Sequence, residues 1–192
     1  MSPIQQMLLG VGAKADPVYI DDVFSTYLYT GTGSSRSITT GIDMTKGGLV
    51  WHKPRGATDP HWLFDTARGT TKVISSNSNA AESTEVDTIT AFNNNGYTLG
   101  ANAELNPNNT VKQASWTFRK AKGFFDVVNF TETTSSNFDV SHSLGCVPGM
   151  ILLKRLDAAQ EWFVYHKSTP SNLLRLNENY AQQSMGGTWI PT

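Results

Sequence analysis

Four histidines, His52, His61, His142 and His166, and one cysteine, Cys146, are the side chains best suited to metal binding or nucleophilic work. No two stand at a ligand-like interval, and one thiol with scattered imidazoles is a poor start for zinc. The expectation is loop or solvent-facing histidines, with Cys146 packed as a small buried residue. Asp21-Asp22, and the trio Asp43, Asp59 and Asp65, could offer hard oxygens to calcium. No Asp-x-Asp/Asn-x-Asp/Asn-Gly run frames them, so no cofactor is expected, and calcium is the one ion these loops could take. Gly31-Thr32-Gly33-Ser34-Ser35 lacks the Gly-Lys-Ser/Thr of a phosphate-binding loop and reads as a turn. A Gly-x-Ser-x-Gly elbow is absent too. No catalytic set emerges, and the chain is expected not to be an enzyme.

Binding residues are the other candidates. Trp51, Trp62, Trp116, Trp162 and Trp189 could stack on sugar rings. Trp51 and Trp116 lie inside strand patterns, and Trp62 and Trp162 recur in matching places, which favours core packing. The polar loops are better ligand-facing surfaces. They run from Asn93 through Asn94 to Asn95, and from Asn106 to Asn108 and Asn109.

The elements that would position these residues are strands. Only 16% of the 192 residues are charged, and Ser, Thr, Asn and Gly replace the missing charge, a balance that favours strands and turns. Ala114, Trp116 and Phe118 alternate with Ser115, Thr117 and Arg119, the pattern of a half-buried strand. Leu49-Val50-Trp51 and Met150-Ile151-Leu152-Leu153 are continuous apolar runs suited to the centre of a two-layer sandwich. Asn95-Gly96 signals a hairpin. A net charge of −1 leaves no basic field for nucleic acid. No run approaches the roughly 18 apolar residues of a membrane span, so membrane insertion is not expected.

Before the strands, Ser2 to Gly10 reads as one short helix, with Ser2 as its cap and Pro3 at its first position. Ile4, Met7, Leu8 and Leu9 form its apolar side. Two turns are marginal alone, so this face must dock, and the glycine-containing tether after it favours docking on a partner subunit.

An internal repeat of about a hundred residues follows. Phe24 to Thr30 (FSTYLYT) matches Phe125 to Thr131 (FDVVNFT). Gly48 to Lys53 matches Gly149 to Lys154, Ala57 matches Ala158, and after a one-residue shift Trp62 matches Trp162 and Asn77 matches Asn177. This divides the chain into a helix and tether at 1–20, a β unit at 21–122, and a partial β unit at 123–192. The second copy stops in mid-unit, so either the chain is a fragment of a longer protein, which is the expectation, or a neighbouring chain completes the sheet.

These runs carry a resemblance. Ser2 to Gly10, Asp22-Val23-Phe24-Ser25-Thr26-Tyr27-Leu28, Leu63-Phe64-Asp65-Thr66, Ser115 to Lys120, Gly123 to Val128 and Val147-Pro148-Gly149-Met150-Ile151 together resemble virion structural proteins of marine and cyanobacterial tailed phages. The resemblance implies an all-β chain of jelly-roll, concanavalin- or laminin-G-like sandwich repeats with one short N-terminal helix. It implies a virion-located tail fibre or tail appendage, contacts with other phage tail proteins, and a homo-oligomer, by analogy a trimer. It implies no catalytic residues. A glycan-binding module for the host surface and a capsid decoration protein are the alternatives.

Overall fold

The continuous run Leu49-Val50-Trp51 needs a strand covered on both sides, because successive side chains point to opposite faces. The structure, a computed structural model describing residues 18–108, 111–132 and 138–184, supplies both covers. After a four-residue helix α1 (Ile20–Val23), β1 (Phe24–Thr30) begins a six-stranded antiparallel sheet. Its other members are β9 (Lys112–Arg119), β3 (Gly48–Pro54), β4 (Trp62–Asp65), β5 (Lys72–Ser75) and β6 (Ser83–Thr84), in the order β1-β9-β3-β4-β5-β6. A smaller sheet, β2 (Arg36–Thr39), β8 (Gly96–Leu99) and β7 (Ile89–Asn93), covers one face. A third sheet runs β10 (Met150–Leu153), β11 (Phe163–His166), β12 (Asn172–Arg175) and β13 (Gln183–Ser184). The fold is all-β, as its composition predicts, but in three layers where a two-layer sandwich is expected.

Alternate residues of the central sheet feed two cores. Val50, Trp62, Phe64 and Val73 join Ile38, Ile42, Met44, Ile89, Tyr97, Leu99 and Leu105 beneath the small sheet. Leu49, Leu63 and Ile74 face the other way and cluster with Trp162, flanked by Trp51, Phe118, Leu152 and Leu156. Trp162 is 3% exposed and donates its indole N–H to the Ser75 carbonyl at 2.8 Å. Around it, Gln160 N donates to the Asn79 carbonyl (2.9 Å), Glu82 N to the Leu156 carbonyl (2.8 Å), and Asn79 Nδ2 to Glu161 (3.0 Å).

The third sheet repeats half of the central one. Leu49 to His52 pair with Asp65 to Trp62, and Met150 to Leu153 pair with His166 to Phe163 in the same register. Asn77 Oδ1 accepts from His61 N, and Asn177 Oδ1 accepts from Trp162 N, both at 2.9 Å. Trp162 therefore stands where His61 stands, and Phe163 where Trp62 stands. The Trp62–Trp162 match predicted from the sequence is off by one, because the missing residue lies later, in the β11–β12 hairpin. That loop has five residues, 167–171, against six, 66–71, between β4 and β5.

Two further expectations fail for related reasons. Phe125 to Thr131 is not a strand; only an isolated bridge pairs Ala121 with Phe125. Its counterpart β1 is held by β9, with Phe24 to Thr30 opposite Phe118 to Lys112, and no counterpart of β9 stands beside β10 among the described residues. Cys146 is exposed, not buried. It precedes β10 as Thr45 precedes β3, and Thr45 is exposed too.

The Ser2–Gly10 helix, with Ile4, Met7, Leu8 and Leu9, lies outside the described residues, as does Trp189. Truncating Trp162 to Ala is expected to lower the unfolding free energy by about 3–5 kcal/mol, the usual cost of removing a buried aromatic. Urea titration followed by intrinsic fluorescence would measure it.

Candidate functional site

The Asn-Gly hairpin borders a polar groove. Asn93 pairs with Gly96, so the turn residues are Asn94 and Asn95, one earlier than the Asn-Gly dipeptide suggests. Gly96 has φ of 129°, and a Cβ there would lie 2.0 Å from the Ile38 carbonyl oxygen, so only glycine lets β2 approach β8 this closely. A β-bulge between Ile89 and Ala91 shifts the register of β7. The extra residue reverses the alternation beyond it. Phe92 comes opposite Tyr97 and packs on the core, while Ala91 comes opposite Thr98.

The result is a groove of about 620 Å³ lined by Ser37, Thr39, Thr45, Phe92, Thr98 and the three asparagines 93–95, with Ile38 at its floor. Ser37 lies opposite Thr98, and Asn93 Nδ2 donates to Thr98 Oγ1 at 2.9 Å. The lining contains amides, hydroxyls and one half-buried aromatic ring, with no charged side chain among the described residues. Such a surface can exchange hydrogen bonds with a neutral polyol and offers an ion no counter-charge.

Of the asparagines expected to face ligand, 93, 94 and 95 come together here. Asn108 is exposed but does not line the groove; it lies against Gly33. Asn109 falls outside the described residues. Asn106 has a structural task. It is fully buried, accepts from Thr32 N at 2.8 Å, and donates to the carbonyls of Ser34 (2.6 Å) and Gly100 (2.9 Å). It thereby latches the Gly31–Ser35 turn to the loop before β9. Ser37, Thr39 and Thr98 were missed from sequence. Their signal is the alternation around buried Ile38 and between Tyr97 and Leu99, which becomes a surface only once β2 and β8 pair.

Of the carboxylates expected to face calcium, Asp65 and Asp43 are engaged within the protein. Asp65 receives Arg68 Nε at 2.5 Å and the amides of Ala67 and Arg68. Arg68 also reaches Glu82 and the Leu63 carbonyl, tying β4 to β5 and β6. Asp43 accepts from Thr45 N and Oγ1 at the start of a 3-10 turn, Met44–Lys46, and pairs with Lys46 at 3.4 Å. No group of three metal-ligating side chains occurs among the described residues.

A second polar region lies inside the sandwich. On β9 the small polar residues point inward: Gln113, Ser115 and Thr117 are fully buried, while Trp116 and Phe118 face the third sheet's side. Tyr97 Oη donates to Ser115 at 2.8 Å, and Tyr29 Oη to the Leu105 carbonyl at 2.8 Å; burial pushes both phenols up. Arg36 lies over the Tyr29 ring at 5.0 Å. His52 sits opposite Ser115 and is 2% exposed, contrary to the expectation of a solvent-facing or loop residue. Its Nε2, both amide atoms of Gln113 and Thr117 Oγ1 have no hydrogen-bond partner in the protein. Burial, reinforced by Lys53 and His61, carries the imidazole down to about 3.

A family model described as Domain of unknown function (DUF7483) matches residues 20–192. No curated protein and no solved structure matches the chain.

His52 makes stability depend on pH. The folded state excludes a proton that the unfolded chain accepts below about 6.5, so the stabilisation is full above that value and is lost as pH falls toward 3. The slope is about 1.4 kcal/mol per pH unit. Urea unfolding between pH 4.5 and 8 should show a plateau above neutrality and that decline below it. His52→Asn should make the decline shallower.

Proposed function

We propose that this chain, which belongs to the DUF7483 family, is a non-enzymatic structural protein of a tailed-phage virion, the virion-attached part of a tail fibre or tail appendage. The observation that carries this reading is the direct stacking of one repeat unit on another through Trp162, Ser75 and Asn79. A chain whose units pack face to face can extend an appendage by adding layers. The phage-like sequence runs quoted above support the assignment, and so do the apolar residues Ile4, Met7, Leu8 and Leu9, which on this reading dock on other tail proteins. Trimeric association and jelly-roll or concanavalin-like connectivity of the units belong to the same proposal.

The charge-free groove on β2, β8 and β7 favours a second reading, a module that binds neutral host glycan. The two are compatible, since an appendage can carry its own receptor site.

Deleting residues 1–15 should remove the protein from purified particles, measured by mass spectrometry, while circular dichroism of the deleted chain still reports a folded β protein. Unchanged incorporation would end the anchoring idea, and labelling on the capsid in cryo-EM would replace the tail assignment with head decoration. For the glycan reading, an array probed with and without calcium should give neutral-sugar binding that Asn93→Ala and Thr98→Val each weaken about fivefold, the worth of one hydrogen bond. Silence under both conditions would retire it.

A further inference from the structure

The tryptophans of the central and third sheets divide into two kinds. Trp62 and Trp162 are 8 and 3% exposed and belong to the two cores. Trp51 and Trp116 are only half-buried, and they meet edge to face, with ring centroids 6.3 Å apart and planes at 70°. Both stand on the face of the central sheet that turns away from β2-β8-β7. The third sheet covers that face over Leu49, Leu63 and Ile74, with Trp51 and Phe118 at the border. Register fixes the layout beyond it. Thr26 lies opposite Trp116, which lies opposite Trp51. Two residues along, Leu28 lies opposite Ala114, which lies opposite Lys53, and Thr30 then lies opposite Lys112. Thr26, Leu28, Thr30 and Lys112 are all exposed.

Cations share this face with the rings. Lys53 is half-buried, and its Nζ reaches the Ala57 carbonyl at 3.4 Å. Arg55 is exposed and extends the ladder, its amide donating to the Lys112 carbonyl at 2.7 Å, so alternation turns it the same way as Lys53. β1, β3 and β9 carry no Asp or Glu. None of the three cations joins an ion pair among the described residues. A local positive field thus adjoins half-open indoles, although the whole chain carries −1. We propose that this face binds an acidic polysaccharide, with sugar rings stacked on Trp116 and Trp51 and acidic groups held by Arg55 and Lys112. An indole takes the flat C–H face of a pyranose, and the cations take its carboxylates or sulfates. Lys112 lies four residues from Trp116 along β9, about 13 Å at the rise of a strand. Rings and cations are therefore met by different sugars of one polymer. Two indoles at 70° suit sugar rings, which turn about each glycosidic bond, better than nucleic-acid bases stacked in parallel. This site rests neither on the virion assignment nor on the groove at Asn93 to Asn95, whose lining holds no charge among the described residues.

The probe is a short polyuronate oligosaccharide titrated into the full chain, with a neutral glucan of equal length and a single-stranded oligonucleotide as comparisons. Saturable quenching of tryptophan fluorescence is expected, weakening as salt is added. Trp116→Ala should weaken binding about tenfold, the worth of one stacked ring. Arg55→Gln and Lys112→Gln should each weaken it about fivefold, the upper worth of an exposed ion pair. Both residues are exposed, so these variants report on binding even if the Trp116→Ala chain fails to fold. Asn93→Ala, which tests the groove, should leave polyuronate binding unchanged. Absence of binding, equal binding of the neutral glucan or of the oligonucleotide, or weakening by Asn93→Ala in place of Arg55→Gln and Lys112→Gln overturns the proposal. A dimer in analytical ultracentrifugation that Leu28→Asp dissociates overturns it also, because a second copy would then cover the face.

Discussion

Everything in this molecule follows from three central strands, β3, β4 and β5, that have no solvent side. In a one-sided sheet, alternate residues are polar and the pattern is easy to read. In β3, β4 and β5 both sets of side chains are buried, one set under β2-β8-β7 and the other under β10 to β13. Leu49, Val50 and Trp51 are consecutive and apolar because each face needs its own core. Trp162 closes the second core, and its N–H finds the Ser75 carbonyl, so the indole enters that interface with its polar atom satisfied.

Two-sided burial also explains an inversion on β9. Its aromatic residues turn away from the sandwich interior, and its small polar residues turn in. Tyr97 reaches across the interior toward it, leaving room for Ser, Thr and Gln but not for Trp or Phe. Some polarity is repaid by Tyr97 Oη on Ser115. His52 Nε2 and the Gln113 amide atoms find no hydrogen-bond partner, which costs stability, and burial keeps the imidazole neutral to low pH.

The repeat shows how one pattern serves different ends in its two copies. The turn of Asn77 and Asn177 is the same hydrogen bond made twice. One position earlier than Trp62 and Phe163, however, the first copy places His61 and the second Trp162. The second copy thus uses its turn-flanking residue as the anchor between layers. Among the described residues, the strand order that is closed by β9 in the first copy ends at β10 in the second, and the segment matching β1 pairs with no strand.

Much of this was legible in the sequence. Composition and short apolar runs determined an all-β chain, the dipeptide Asn95-Gly96 determined a hairpin, and self-similarity determined the repeated strand–turn–strand unit, because each depends on local backbone preferences and side-chain period. Tertiary structure alone decided which face of β9 is interior, that His52 is buried, that Asn106 is a latch while Asn93 to Asn95 line a groove, and that Cys146 is exposed. Those outcomes depend on which strands become neighbours across long stretches of chain, as when Arg36 to Thr39 meet Leu99 to Gly96. Where both faces of a strand are covered, alternation no longer tells inside from outside; only the packing partner does.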